Sequence, residues 1–465
     1  VARAKFGTDG VRGVANAELT PELVLALGRA VARTIVAPEF VIGRDTRRSG
    51  PLLQAAVSAG LASEGADVVD VGELPTPALA WLSVTRGVPA VVVSASHNPF
   101  ADNGIKVFAA GGLKLDEATE AAIEAELERV LDPTRGGPRR LEGHGVGRLR
   151  GETGAGDAYV AHLVEQLEGR RLDGLRLVVD SAHGAASALA AGLYRQLGAE
   201  VVAIGCSPDG TNINDGVGST ATDALAAAVV EHGADLGLAL DGDADRLLAV
   251  DGDGRVANGD ELLALFALDL DERGRLARRT VVVTVMSNLG FRLAMEERGI
   301  VVRETPVGDR HVLAALDEDG LSLGGEQSGH LIFRQQATTG DGLLTGLMLA
   351  DLVQRQGRPL ARLLDGLVTP VPQVLLNVPV ADTELLAGAD AVWSAVAEEQ
   401  TKLGDRGRVV LRKSGTEAVV RVMVEAMGDG VAESVADRLG ALVAFELQAA
   451  AVSSPMSATG GTSDG

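Results

Sequence analysis

Leu175-Arg-Leu-Val-Val-Asp180, a polar loop, an Ala-rich stretch, Gly198 and then Glu200-Val-Val-Ala-Ile204 form the pattern that decides the fold. Two continuous Val-rich runs joined by a helical stretch describe parallel strands of a sheet covered on both faces. Gly198 stands where a helix ends and a left-handed cap is wanted. The same unit occurs twice more. It runs from Phe40-Val-Ile42 through a helix ending near Glu64 and Gly65 to Asp67-Val-Val-Asp-Val71. It recurs from Val281-Val-Val-Thr-Val285 through a loop at Ser287-Asn288, a helix and Gly299 to Ile300-Val-Val-Arg303. Three similar α/β domains in series, with mainly parallel mixed sheets, are the expected architecture.

Beyond Thr369-Pro370-Val-Pro372 the pattern changes. Alternating strands at Gln373 to Val380, Arg408 to Arg412 and Val419 to Glu425, with helical patterns around Ala391–Leu403 and Val431–Phe445, predict a smaller α+β domain. Gly and Pro clusters near 132–138 and 366–372, and the turn Asp251-Gly-Asp-Gly254, mark the joints. The expected domains are 1–150, 151–254, 255–368 and 369–448, and 449–465 reads as a disordered tail ending in the small polar run Ser453–Gly465.

A chain of 465 residues with 46% hydrophobic content has ample core for several domains. Aromatics make up only 3%, so Val, Leu and Ala must fill that core. The net charge of −22 repels nucleic acid, and no basic run interleaved with aromatics offsets it. It also repels phosphorylated substrates, so a phosphate site must be locally basic. The single cysteine, Cys206, excludes an internal disulfide and a zinc framework. No stretch reaches membrane-spanning length and no signal-peptide core is visible, so a soluble cytoplasmic protein is expected.

Asp241-Gly-Asp243-Ala-Asp245-Arg246 directly follows the apolar run Leu236–Leu240. Small residues between the carboxylates let them converge, and three hard oxygen donors suit Mg²⁺. A calcium loop of the EF-hand type needs Gly sixth and Glu twelfth, where this chain has Arg246 and Gly252. Taken alone, the stretch also reads as an acidic turn capped by its own side chains.

Ser94-Ala-Ser96-His97-Asn98-Pro99 follows the strand Ala90-Val-Val-Val93, at the strand end where open α/β sheets bind ligands. It lacks the glycines of a hydrolase nucleophile elbow, and taken alone it also reads as a Ser/Asn/Pro turn. Asn103-Gly-Ile-Lys106 follows, with one of the few lysines of an arginine-rich chain. Gly324-Gly-Glu326-Gln-Ser328-Gly-His330 suits hydroxyl or amine recognition or proton transfer, and alone reads equally as a surface turn. Arg412-Lys-Ser414-Gly415-Thr416-Glu417, with Arg421 beyond it, has the backbone, hydroxyls and guanidinium of a phosphate cradle without being a Walker loop. Phe6-Gly-Thr8-Asp9-Gly-Val-Arg12-Gly13 is a further Gly-bounded polar loop, or a simple hairpin turn.

In this order and over this length, Phe6–Gly13, Ser94–Lys106, Asp241–Arg246, Gly325–His330 and Arg412–Glu425 resemble the bacterial phosphoglucosamine mutases of the α-D-phosphohexomutase superfamily. Gln327 and the Phe6–Gly13 opening resemble the glucosamine branch rather than the phosphomannomutase/phosphoglucomutase branch. The resemblance implies four domains around a central cleft and isomerisation of glucosamine 6-phosphate to glucosamine 1-phosphate. It implies Ser96 as the phosphorylated residue, with Asp241, Asp243 and Asp245 binding Mg²⁺ together with a phosphoserine oxygen. Glu326 and Ser328 would contact sugar hydroxyls. Arg412, Ser414, Gly415, Thr416 and Arg421 would hold the non-reacting phosphate. Arg12, Lys106 and His330 would assist, Lys106 or His330 as general base. A glucosamine or glucose 1,6-bisphosphate would serve as activating phosphate donor, and a homodimer is expected on the same ground. The family commonly has Pro where this chain has Ala418, which loosens the strand entry and removes no ligand. Competing readings are the same chemistry on mannose or glucose phosphates, a non-catalytic sugar-phosphate-binding protein and a Mg²⁺-dependent phosphatase.

Overall fold

Each of the three strand–helix–strand units forms a parallel strand pair, and each pair grows into a mixed sheet by the same rule. The structure, a computed structural model, describes residues 6, 7, 10–132, 141–414 and 418–453. The Gly and Pro cluster near 132–138 lies almost wholly outside these residues. The chain divides into two compact units, Val1–Ser287 with Ala294–Val368, and Asn288–Leu293 with Thr369–Gly465.

The larger unit contains three sheets. The first is built from β1 (Val11–Val14), β2 (Glu39–Arg44), β3 (Asp67–Glu73), β4 (Ala90–Val93), β5 (Asp102–Ala109), β6 (Leu113–Lys114) and β7 (Leu149–Gly151), in the order β1-β5-β4-β2-β3-β7, with β6 on β5. The second is built from β8 (Arg176–Asp180), β9 (Glu200–Ile204), β10 (Leu236–Leu240), β11 (Leu247–Asp251) and β12 (Val256–Ala257), in the order β12-β11-β10-β8-β9. The third is built from β13 (Thr280–Thr284), β14 (Val301–Thr305), β15 (Leu323–Gly325) and β16 (Leu331–Phe333), in the order β14-β13-β15-β16.

In all three, the first two strands of the repeat pair in parallel, as β2 with β3, β8 with β9 and β13 with β14. A third strand then lies parallel on the other side of the first, as β4, β10 and β15. A fourth returns antiparallel, as β5, β11 and β16. The glycines expected to end the helices, Gly65, Gly198 and Gly299, all have positive φ (95°, 98° and 67°), a region that costs a residue with a Cβ.

The third strand is the one that matters for chemistry. Every residue of β4, β10 and β15 is buried. A buried Val or Leu contributes about 1.5–3 kcal/mol, so these strands are firmly seated and the loops leaving them are precisely placed. The turn from third to fourth strand is where Ser94–Ala101, Asp241–Arg246 and Glu326–His330 lie.

The smaller unit has β17 (Gln373–Pro379), β18 (Gly407–Lys413) and β19 (Val419–Ala426), all antiparallel in the order β17-β19-β18. Its core joins Val420, Val422 and Val424 to Leu439 and Val443 of the helix Val431–Ser453. Buried Glu425 accepts from Leu289 N and Asn288 Nδ2, both at 3.0 Å, and pairs with Arg408 at 2.5 Å. The helix continues to Ser453, where the sequence reading starts a tail at 449. Gln448-Ala-Ala-Ala is helix-favouring, and the polar composition begins only beyond it; residues 454–465 lie outside the described residues.

Candidate active site

Within the larger unit the equivalent turns of the three sheets converge. Ser96 Oγ donates to Asp241 Oδ2 at 2.5 Å, joining the first turn to the second. Gly242 makes this approach possible, because a Cβ there would lie 2.5 Å from the Ser96 carbonyl oxygen. The spacer of the acidic motif is therefore sterically required. The third turn closes on the second through Leu247 N, which donates to Gly329 O at 3.0 Å.

The Ser96 turn is held from beneath. Ser96 has φ +52°, a left-handed conformation uncommon for a residue with a Cβ. Fully buried Arg47 donates through Nη2 to the carbonyls of Ser96 (2.9 Å) and Asn98 (2.8 Å), and through Nη1 to those of Pro99 and Asp102 (3.1 Å for Asp102). Its Nε pairs with Asp45 at 2.9 Å. Asp45 also accepts from Ser94 Oγ at 2.6 Å, and Ser94 Oγ accepts Ser96 N–H at 3.0 Å. Asn214 Nδ2 adds a bond to the Ser96 carbonyl at 2.9 Å. Beside the hydroxyl stands His97, with Nδ1 3.4 Å from Ser96 Oγ. Burial, with Arg246 and Arg12 alongside, pulls its pKa down to about 4.

The acidic turn has its carbonyls occupied from three directions. Gly242 O accepts Ala185 N (2.8 Å), Asp243 O accepts Thr76 N (2.9 Å) and Ala244 O accepts Gly342 N (2.9 Å). With the backbone so fixed, Asp241, Asp243 and Asp245 are all buried and offer carboxylate oxygens within 4.8 Å of one another. Lys106 Nζ donates to Asp243 Oδ2 at 2.7 Å and lies 3.6 Å from Asp245 Oδ2. Burial first, then Asp245 and Asp243, drive the Asp241 pKa well above the ordinary carboxylate value. Burial also pushes Asp245 up, but Lys106, His330 and Arg246 outweigh it and hold Asp245 well down.

Two oxygens, Asp243 Oδ1 and Asp245 Oδ1, are buried and accept no hydrogen bond. Buried carboxylate oxygens without donors are costly, and a hard divalent cation supplies what they lack. These residues fit the metal expected of them.

His330 is buried next to them. Its Nε2 accepts Gly340 N–H at 3.0 Å and lies 3.5 Å from Asp309, while Nδ1 faces Asp245 Oδ1 at 3.8 Å. Burial lowers its pKa, and Asp245, Asp309 and Glu326 together raise it by more. The accepted N–H works against a proton on Nε2, which leaves Nδ1 as the protonated nitrogen. Glu326 Oε1 accepts Gly308 N at 3.2 Å, and Ser328 Oγ lies 3.4 Å from Glu326 Oε2. Arg12, on β1, donates to Asn98 Oδ1 at 3.3 Å. Ser96, the three aspartates, Lys106, His330, Glu326, Ser328 and Arg12 thus belong to one connected region.

In the smaller unit, Arg412 and Arg421 stand directly opposite across β18 and β19. Two like charges facing each other repel, and an anion bound between them relieves that. Ser414 is buried, and its N–H closes the turn on Val419 O at 2.9 Å. Gly415 and Thr416 lie outside the described residues, as do Thr8 and Asp9.

Sequence reading missed Asp45, Arg47, Thr76 and Asn214. Asp45 and Arg47 follow β2 at its carboxyl end, the position that singled out Ser96 and would have found them too.

The phosphoglucomutase/phosphomannomutase family matches this chain four times. Its alpha/beta/alpha domains I, II and III match residues 3–133, 157–254 and 258–371, and its C-terminal domain matches 375–441. The phosphoglucosamine mutase of Saccharopolyspora erythraea is 56% identical over 446 residues, which span 94% of this chain and 98% of that protein. That of Salinispora tropica is 54% identical over 441 residues, or 93% of this chain and 97% of that protein. A crystal structure of a phosphoglucomutase/phosphomannomutase family protein from Burkholderia thailandensis superposes with a TM-score of 0.80 at 28% identity, covering 96% of this chain and 98% of that one. The chain belongs to the phosphoglucosamine mutase family of the α-D-phosphohexomutase superfamily.

Proposed function

We propose that this phosphohexomutase interconverts glucosamine 6-phosphate and glucosamine 1-phosphate by way of a phosphoserine at Ser96. The observation that carries the residue assignment is the 2.5 Å contact between Ser96 Oγ and Asp241 Oδ2, which seats one nucleophilic hydroxyl against three clustered carboxylates.

In the forward direction the bond from phosphorus to Ser96 Oγ breaks as the C1 oxygen of the sugar bonds to phosphorus, and the C1 hydroxyl proton is balanced by protonation of Ser96 Oγ. The product is a 1,6-bisphosphate. After this intermediate turns over, Ser96 Oγ takes the phosphoryl group from the C6 oxygen, which gains the proton Ser96 gives up, and glucosamine 1-phosphate is released. Arg47, Asp45 and Ser94 keep the Ser96 turn fixed through both transfers, and positioning of this kind is the larger part of phosphoryl-transfer catalysis. Asp241, Asp243 and Asp245 would hold a divalent cation, which when bound neutralises charge on the transferring group. Lys106 and His330 both turn toward the carboxylates, a placement that favours charge compensation for each over service as a free base. Glu326 and Ser328 offer an acceptor and a donor for the amino and hydroxyl groups of the sugar. Arg412, Ser414, Gly415, Thr416 and Arg421 would bind the non-reacting phosphate, Arg412 and Arg421 by guanidinium forks, and Arg12 would assist beside the Ser96 turn.

Mg²⁺ as the cation, a glucosamine or glucose 1,6-bisphosphate as the compound that primes Ser96, a homodimer and a cytoplasmic setting belong to the same proposal. Among the described residues no helix is long and apolar enough to cross a membrane. Turnover of glucosamine 6-phosphate measured against glucose and mannose 6-phosphates tests the substrate: glucosamine 6-phosphate is expected to have the highest kcat/KM, and preference for a neutral hexose would overturn the assignment.

A further inference from the structure

We propose that Thr76 is a positioning residue that decides which oxygen of Asp243 faces the cation. The inference rests on the reading of the three aspartates as a cation site.

Thr76 opens the helix Thr76–Arg86, between Pro75 and Pro77. The flanking prolines fix the local backbone and restrict its neighbour, so Thr76 enters the site in a set direction. It is 2% exposed. Its N–H, one of the free donors of a helix start, holds the Asp243 carbonyl at 2.9 Å. Its hydroxyl donates to Asp243 Oδ2 at 2.5 Å.

The same Oδ2 accepts Lys106 Nζ at 2.7 Å. A carboxylate oxygen has two lone pairs, and these two donors use both. Oδ1 is buried and accepts no hydrogen bond, so it alone remains for a metal. Without the hydroxyl, Oδ2 regains a lone pair and the carboxylate is free to turn. The two oxygens then compete for the cation, and the geometry that hard divalent ions require is diluted. Partners that orient a metal ligand typically contribute 10–100-fold to metal affinity or activity.

Thr76→Val removes the hydroxyl while keeping shape and the backbone bond, and Thr76→Ser keeps the hydroxyl while losing a methyl. Mn²⁺ binding to the full chain, followed by the electron paramagnetic resonance signal of the free ion, reads the effect without turnover. T76V should weaken Mn²⁺ by about 10-fold or more, and T76S should stay within about 3-fold of the unmodified chain. Thermal unfolding in chelator should be alike for all three. Unweakened T76V overturns the proposal, and T76S as weak as T76V overturns it by assigning the effect to packing. Asp243→Asn is the control: if the unmodified chain binds no Mn²⁺, or D243N binds it equally well, the cation reading itself fails and takes the proposal with it.

Discussion

The turns at Ser94–Ala101 and Asp241–Arg246 occupy the same station in two sheets, after a buried third strand and before the antiparallel fourth. Each carries a residue with a Cβ in the left-handed region, Ser96 at φ +52° and Ala244 at +56°. They are secured differently. The serine turn has four carbonyls drawn to one buried cation, Arg47 of its own sheet, with Asn214 adding bonds to two of them. The acidic turn has its carbonyls taken by N–H groups of Ala185, Thr76 and Gly342 from separate segments. One station is thus built like a folding core and the other like an assembly point. Stability is invested in the first, and electrostatic cost is concentrated in the second.

The sharpest way to break this comparison is Ser96→Ala, which on the proposed assignment removes the group that carries the phosphoryl and should lower turnover by about 10⁴-fold or more. Folding, followed by circular dichroism, should be unchanged. Next come Asp241→Asn, Asp243→Asn and Asp245→Asn. Each should reduce kcat/KM by about 10²–10³-fold. Asp241→Asn should leave Tm in chelator equal or higher, because burial and its two neighbours already disfavour its charge. Asp243→Asn and Asp245→Asn should instead lower it by removing the partners of buried Lys106. A large fall in Tm for Asp241→Asn would make that aspartate structural.

The serine turn should respond the other way. Arg47→Met leaves buried Asp45 without its cation and takes a donor from four carbonyls, and loss of one partner of a buried pair costs about 3–5 kcal/mol. Urea unfolding should register that loss, with Arg47→Lys between Met and the original residue because a lysine cannot reproduce the fork. An R47M chain as stable as the original would end the contrast between the two turns.

The smallest effect concerns the bracing of Ala244. Asp341 caps the helix Gly342–Gln356, whose first N–H holds the Ala244 carbonyl, and it also accepts Tyr159 Oη at 2.6 Å. Burial raises its pKa from 3.8 to about 6, against the hydrogen bonds from Leu344 and Tyr159. A carboxyl raised on folding binds more protons folded than unfolded, so its stabilising share is full below about pH 4 and is lost as pH rises through about 6. The change is on the order of 2–3 kcal/mol. Asp341→Asn should flatten stability over that window, which unfolding curves at pH 4 to 7 would register; an unaltered slope would remove Asp341 from the account.

Much of this was legible in the chain. The repeat announced itself because buried parallel strands are uniformly apolar and each helix ends on a glycine. The acidic motif and Ser96 were legible because their spacing and position after an apolar run already imply convergence. Arg47 was hidden: among Arg44, Arg47 and Arg48 it resembles a solvated basic turn, and only tertiary placement buries it under the serine. Thr76 and Asn214 were hidden for the same reason, since each acts on residues more than a hundred positions away. The helical run to Ser453 was obscured by the polar composition beyond it.

The central claim is that Ser96 carries the phosphoryl group beside the aspartate cluster. Intact-mass measurement with peptide mapping, after incubation with glucosamine 1,6-bisphosphate and Mg²⁺, tests it directly. One added phosphoryl group is expected, located on Ser96 and discharged by added glucosamine 6-phosphate. A chain that turns over substrate while carrying no phosphoryl group on Ser96, or carrying it on another residue, would contradict it.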